Sequence, residues 1–312
     1  MDKYWQEGLL KLEGGLKAFN EQLFKDYPVI IYIMAMGIVV RDIAPFLRHK
    51  SIDPAVLCMT LDGGYIIPVL SGHLGGGNAI AREIGQATGA IPVITTASDL
   101  LGKPAVDMMA QSKGLVIGSF PKAKDLTAML INGNKVQVLT DLDLVGDLGG
   151  RVIDHELDQE AEGLIFVGYR QTNNQVPTVH LIPKCLVVGI GARRDTPYDQ
   201  IKDMLVKVLG EHAIDIRGIK AIASIDLKED EPGIIALAQG LKVPFVTYSS
   251  GDLLPYEALF EGSEFVKQTT GVACVAMPSG YCGSNQGTCI IEKVVEKGVT
   301  MCLWEDSNDL YR

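Results

Sequence analysis

Within eight residues, Ser71-Gly72-His73-Leu74-Gly75-Gly76-Gly77-Asn78 gathers a hydroxyl, an imidazole, four glycines and an amide. Imidazole titrates near neutrality, so His73 is a candidate general base. Gly72, Gly75, Gly76 and Gly77 would let a ligand come close to backbone N–H groups. A helix starting at Asn78 would add partial positive charge. The run therefore reads as an anion cradle with a titratable ring inside it; a tight strand–helix turn with a surface histidine is the alternative. Thr95-Thr96-Ala97-Ser98-Asp99 forms a second polar group at a strand end. It either lines a site or caps a helix through Ser98 or Asp99. The third group is Gly189-Ile190-Gly191-Ala192-Arg193-Arg194. Arg194 stands where the dinucleotide fingerprint G-x-G-x-x-G needs its last glycine, so the run is not that fingerprint. Two adjacent guanidinium groups suit a carboxylate or phosphate instead. A solvated loop is the other reading.

These groups need elements to hold them. Tyr65 to Leu70 is apolar and β-branched at its centre, hence a strand. Asn78 to Thr88 places Ile80, Ile84 and Ala87 on one face, hence a helix. Upstream, an amphipathic helix is expected within 1–26, a strand over Val29 to Met34 and a helix over Ile38 to Leu47. Arg41 would then lie on the first turns of that helix, near the end of the preceding strand. Ala55 to Leu61 pairs with Tyr65 to Leu70 through the Asp62-Gly63-Gly64 turn, and Ile91 to Thr95 adds a strand. Residues 104–180 read as short helices and strands without evident chemistry, and His155 and His180 as isolated surface or packing residues. From Cys185 strands and helices alternate again. The last expected elements are a strand over Val272 to Met277, a Gly-rich loop from Pro278 to Gly287, a helix from Thr288 and a strand over Val299 to Trp304. The fold class is α/β: two doubly wound, mostly parallel-sheet domains (1–115 and 184–312) joined by a small linking subdomain (116–183).

Composition narrows the function. The 312 residues are 47% hydrophobic, enough for a full core, and carry a formal net charge of -10. An acidic chain argues against sequence-independent nucleic-acid binding but leaves room for an anionic small ligand held by local cations. No apolar run approaches the ~20 residues of a membrane span, and the start does not resemble a signal peptide. The six cysteines lack zinc-like spacing and fit reduced thiols in the cytoplasm; Cys282 and Cys289 are the pair to watch. His49, His73, His155, His180 and His212 are scattered without paired ligand spacing, so no metal site of the protein's own is expected.

Several segments together resemble one family, the cobalt-precorrin-5A hydrolases of the anaerobic route to cobalamin. They are Met36-Gly37-Ile38-Val39-Val40-Arg41-Asp42-Ile43-Ala44-Pro45, Lys50 to Val56, the run from Ile67 to Asn78, Pro92 to Asp99, and Val188-Gly189-Ile190-Gly191-Ala192-Arg193-Arg194. The resemblance covers most of the chain and is weakest from about 115 to 182. Family members usually open with a further strand and helix, so the first sheet is expected to lack an edge strand. Ala192 stands where a cysteine is common, so no thiol is needed there.

The resemblance implies opening of a δ-lactone on a corrin precursor, with loss of acetaldehyde. The substrate is a tetrapyrrole with many carboxylates that brings its own cobalt, so the protein needs no cofactor. Against that demand, His73 would activate water and His73 or Asp99 would return a proton. Backbone N–H groups of Gly75, Gly76 and Gly77 would hold an oxyanion or carboxylate. Arg41, Ser71, Gly72, Asn78, Thr95, Thr96, Arg193 and Arg194 would bind substrate, with the strand-end loops of the two domains facing one another across a cleft. A homodimer formed by strand addition and neighbouring cobalamin-pathway enzymes are the partners to look for. A non-catalytic module for an anionic corrinoid or phosphate-bearing ligand is the alternative, since it would need the same cradles but no base.

Overall fold

The computed structural model describes residues 15–49, 52–72, 75–95, 105–142 and 147–307. Contacts divide the chain into two units, Met1–Met108 and Met109–Arg312. In the first, α1 (Leu16–Asp26) precedes β1 (Val29–Ile33), α2 (Met36–Ile43), β2 (Ala55–Met59), β3 (Tyr65–Leu70), α3 (Gly77–Thr88) and β4 (Ile91–Pro92). The sheet order is β1-β2-β3-β4. β1 runs parallel to β2, β2 antiparallel to β3, and β3 parallel to β4. Side chains alternate across a strand, and β2 uses both faces. Val56 and Cys58 join Ile30, Tyr32, Val39 and Ile43, while Ala55 and Leu57 join Ile66, Ala81 and Ala90. Burying one such Leu or Ile side chain is worth about 1.5–3 kcal/mol.

Four expectations here are shortened: β1 ends at Ile33 and β2 at Met59, one and two residues early, and two others change more. The second helix ends at Ile43, and the chain tightens into a 3₁₀ turn over Ala44–Phe46, because Pro45 has no N–H for the next helical bond. Arg41 therefore lies in the last turn of α2 rather than its first turns. The strand expected over Ile91 to Thr95 is only Ile91–Pro92, on the sheet edge where proline is tolerated.

The second unit carries two sheets. After α4 (Val106–Ser112) come β5 (Val116–Ile117), α5 (Phe120–Asn132), β6 (Val136–Thr140), β7 (Asp147–Leu148), β8 (Arg151–Asp154), β9 (Gly163–Val167) and β10 (Thr178–Ile182). They form a sheet ordered β5-β10-β9-β6-β8-β7. β10, β9, β6 and β8 are parallel, and both outermost pairings are antiparallel. β9 is buried along its whole length.

The other sheet is built from β11 (Leu186–Ala192), α6 (Tyr198–Glu211), β12 (Ile219–Ile225), α7 (Pro232–Leu241), β13 (Phe245–Tyr248), α8 (Ser250–Leu253), α9 (Glu264–Thr270), α10 (Ala276–Gly283), β14 (Thr288–Glu296) and β15 (Val299–Glu305). Its order is β13-β12-β11-β15-β14. β11, β12 and β13 are parallel; β15 and β14 continue antiparallel.

This end of the chain departs from expectation three times. Val272 to Met277 is not a strand, the Gly-rich loop is largely the helix α10, and the segment from Thr288 is a strand. Glycines explain the helix. A Cβ on Gly189 would fall 2.1 Å from the Ala276 carbonyl oxygen, and one on Gly280 would fall 2.4 Å from Trp304 Cδ1. The helix thus packs on the sheet at backbone distance, which tertiary contact rather than propensity allows. Register shifts between Cys289 and Ile291 and between Ile291 and Val294 explain the strand. Bulges break the period-two alternation by which a strand is read.

Candidate functional site

The Gly-rich turn links β3 to α3 as expected, and Gly72, Gly75 and Gly77 pack closely within it. A Cβ on Gly75 would lie 2.5 Å from Ser71 Cβ and 2.8 Å from the Ser71 carbonyl oxygen; one on Gly72 would lie 2.7 Å from Asn78 Oδ1. Ser71 adopts φ 51° and donates from its hydroxyl to the Asp53 carbonyl at 2.9 Å. Two of the turn's N–H groups are spent internally: Gly77 donates to Ser71 O at 3.2 Å and Asn78 to Gly72 O at 2.9 Å. The Gly77 N–H, expected to meet a ligand, is thus engaged in closing the turn. Asn78, expected to meet substrate, is 4% exposed with its amide against Gly72, so it shapes the turn. Gly76 caps α3 at φ 77° with no side-chain cap bond. His73, Thr96 and Asp99 lie outside the described residues. Thr95 is exposed beyond the end of β4.

Arg41 is exposed in the last turn of α2. Its Nη1 nevertheless lies 3.9 Å from the position of a Cβ on Gly37. Helical side chains tilt toward the N-terminus, and here the guanidinium reaches back over the missing side chain of the first turn. The helix start follows the carboxyl end of β1, the strand end where open α/β sheets bind ligands. Beneath it, the Tyr32 hydroxyl donates to Asn20 Oδ1 at 2.8 Å, and Asn20 Nδ2 donates to the Asp42 carbonyl at 3.4 Å.

Arg193 and Arg194 lie in the second unit, on a cleft of about 670 Å³ at the carboxyl ends of β11 and β12. Its walls are mainly apolar and include Leu227, Phe265 and Val295, which are 50%, 77% and 62% exposed. Exposed apolar side chains clustered in a concavity mark a binding surface. Lys228 and Lys293 join the two arginines on its lining, against a single carboxylate, Glu261. The Arg193 side chain is laid across Gly298, where a Cβ would fall 2.8 Å from Arg193 Cδ, and the Arg193 N–H donates to Gly298 O at 3.0 Å. Arg194 meets Asp230 at 3.7 Å, both side chains about two-thirds exposed, a pairing that holds it weakly. Lys228 is pinned by the buried Glu231 at 3.1 Å. The other oxygen of Glu231 has no partner among the described residues, and the adjoining start of α7 favours its charge.

Lys228 and Lys293 were not singled out in the sequence. Lys228 follows the end of β12, so strand-end reasoning could have found it. Lys293 stands on β14, which reads as a helix, and nothing in its neighbours signals a site. All six cysteines are free, Cys282 on α10 and Cys289 on β14 included. Among the described residues no three His, Cys, Asp or Glu side chains form a metal-holding group, and no helix is long and apolar enough to cross a membrane.

Comparison with known proteins fits these observations. Residues 18–99 match the family described as cobalamin synthesis G N-terminal, 104–183 the cobalamin biosynthesis central region, and 186–304 the cobalamin synthesis G C-terminus. A protein named cobalt-precorrin-5A hydrolase from Salmonella typhimurium is 36% identical over 97% of this chain and 89% of its own length. One of the same name from Priestia megaterium is 29% identical over 95% and 83%. A crystal structure of CobE, a protein from the cobalamin (vitamin B12) biosynthetic pathway, matches 40% of this chain and 92% of its own at 29% identity and a TM-score of 0.37. The chain belongs to the cobalt-precorrin-5A hydrolase family, hydrolases of cobalamin biosynthesis.

Proposed function

We propose that this protein opens the δ-lactone of cobalt-precorrin-5A and releases acetaldehyde. The observation that carries the reading is the cleft at the ends of β11 and β12. Exposed Leu227, Phe265 and Val295 offer a face for a flat macrocycle, and Arg193, Arg194, Lys228 and Lys293 offer charge to its carboxylates. Guanidinium groups bind carboxylates bidentately. The cobalt belongs to the substrate.

In the chemistry we propose, His73 takes a proton from water as the water oxygen bonds to the lactone carbonyl. The N–H groups of Gly75 and Gly76 hold the oxyanion that forms. Collapse of the tetrahedral species breaks the ring C–O bond and leaves a carboxylate and an alcohol. Deprotonation of that alcohol by His73 or Asp99 lets its C–O bond become C=O. The adjacent C–C bond then breaks, acetaldehyde leaves, and the carbon left behind takes up a proton. Arg41, with its guanidinium drawn back to the start of α2, is proposed to meet a substrate carboxylate. Action in the cytoplasm, a homodimer and contact with neighbouring enzymes of the pathway belong to the same proposal.

The test is an anaerobic assay with the cobalt-bearing lactone, following acetaldehyde. Wild type is expected to release it, and His73→Ala to be about 10²–10⁴-fold slower. Retention of activity within a few-fold in His73→Ala would remove His73 from the mechanism. A spectral shift on mixing without acetaldehyde would instead indicate a non-catalytic corrinoid-binding module.

A further inference from the structure

A second concavity, of about 230 Å³, lies in the same unit but has a different character. Its lining includes Ser119, Lys122, Arg170, Thr172, His180 and Arg217. His180, which reads in the sequence as an isolated packing residue, is here a member of a cationic group. Asp215 is the only carboxylate on that lining. It is engaged by Arg217 through three contacts, the backbone N–H and Nε to Oδ1, each at 2.9 Å, and Nη2 to Oδ2 at 2.6 Å. Burial opposes its charge, yet Arg217 holds the Asp215 carboxyl below the usual range. Arg217 Nη1 also donates to the Gly118 carbonyl at 2.8 Å. The arginine is thereby fixed in place with two of its five N–H bonds uncommitted. Lys122 has no ion-pair partner among the described residues. Arg170 is 3.6 Å from Asp141 and lies over the Tyr169 ring at 5.6 Å. Three cations lie on the lining against Asp215, with Asp141 behind Arg170, so the site keeps a net positive charge.

The histidine is set as a neutral donor. Asn174 Nδ2 donates to Thr172 Oγ1 at 2.9 Å, so the hydroxyl proton of Thr172 is available for His180 Nε2, 3.0 Å away. The Thr172 backbone N–H points to the same nitrogen at 3.4 Å. Nε2 is therefore the acceptor and Nδ1 carries the proton. Burial, and after it the Lys122 charge, keep the ring's pKa below its ordinary value, in keeping with that form. The ring is steadied edge-on against Phe166 at 5.4 Å. The start of the 13-residue helix α5 lies on the same wall, with Ser119 at its cap position making no side-chain cap bond. An imidazole N–H, a fixed guanidinium, a lysine and a helix start are groups that favour negative charge.

We propose that this pocket binds a compact oxyanion of two negative charges, of the class of inorganic phosphate or the phosphoryl group of a small ester. The volume is several times the ~30 Å³ share of one liquid water, enough for a tetrahedral anion. The site is distinct from the apolar cleft, whose walls suit a macrocycle.

The experiment is calorimetric titration of the full-length protein with inorganic phosphate in a low-chloride buffer, with a melting curve at each concentration. Wild type is expected to show one saturable site and a melting temperature that rises and then levels with ligand. Lys122→Ala is exposed and unpaired, so it keeps the fold; it and His180→Gln are each expected to weaken binding about tenfold. Lys293→Ala, in the apolar cleft, is expected to leave phosphate binding unchanged. A parallel titration with glycerol phosphate separates the two sources: tighter binding of the ester points to an organic phosphate, equal or weaker binding to the free ion. Absence of saturable binding, equal affinity in Lys122→Ala and wild type, or loss of binding in Lys293→Ala would overturn the site.

Discussion

At the residue scale, Arg193 shows how a neighbour with no side chain can set a functional group. Its methylenes occupy the space a Cβ on Gly298 would fill, and Gly298 sits at φ 83° in the β14–β15 turn. Arg193→Ala is expected to raise KM about 10–100-fold with a smaller change in kcat, the loss of one charge-assisted contact. Gly298→Ala should reproduce part of that KM increase by displacing Arg193. It should also cost about 1 kcal/mol of stability through strain at positive φ. Steady-state kinetics together with urea unfolding would separate the two effects. Tyr32 gives a pH prediction. Burial first, and the Asp42 charge second, raise its phenol from the ordinary 10 to about 12. The folded state holds that proton more tightly than the unfolded chain. The stabilisation is therefore complete below pH 10 and is lost as pH rises through 12. Stability measured across that window should fall in wild type and fall less steeply in Tyr32→Phe. The position of Arg193 and Arg194 at a strand end was legible because the Gly189 to Gly191 run follows directly from an apolar strand, and both line the cleft there. The burial of Asn78 was not legible, because burial cannot be seen in a local motif.

At the element scale, the β3–α3 turn and α10 share one device: glycine where backbone must meet backbone. Gly75→Ala would force its methyl to within 2.5 Å of Ser71 Cβ. It is expected to destabilise the first unit by about 1–3 kcal/mol, read from thermal unfolding. Gly280→Ala would drive a methyl into Trp304, which is 5% exposed. A red-shifted and altered tryptophan emission should accompany a loss of similar size. The alternation of strands and helices was readable because each period repeats locally. The helix α10 (Ala276–Gly283) and the strand β14 were not. One contains glycine and proline that no propensity favours in a helix. The other carries two bulges that erase its alternation.

At the scale of the whole molecule, thiol chemistry reports on packing. Cys58, Cys185, Cys274 and Cys302 are buried, and Cys282 and Cys289 are half-buried. Burial raises the thiol of each above its ordinary value. A thiol reagent near neutral pH should modify the native protein slowly and only at Cys282 and Cys289, because the thiolate is the reacting form. All six should react in denaturant. Rapid reaction of more than two in the native protein would contradict the packing described. The chain's own order of residues determined the α/β class and the family, because both are written in short motifs and local periods. Only the tertiary structure decided that the Gly77 and Asn78 N–H groups close the β3–α3 turn, which leaves those of Gly75 and Gly76 for the proposed oxyanion. Only it brought Lys228 and Lys293 to Arg193 and Arg194, and Lys122 and Arg217 to His180. Those groups come from strands and loops up to 100 residues apart in the chain. Long-range sheet pairing, not local preference, sets which of them meet.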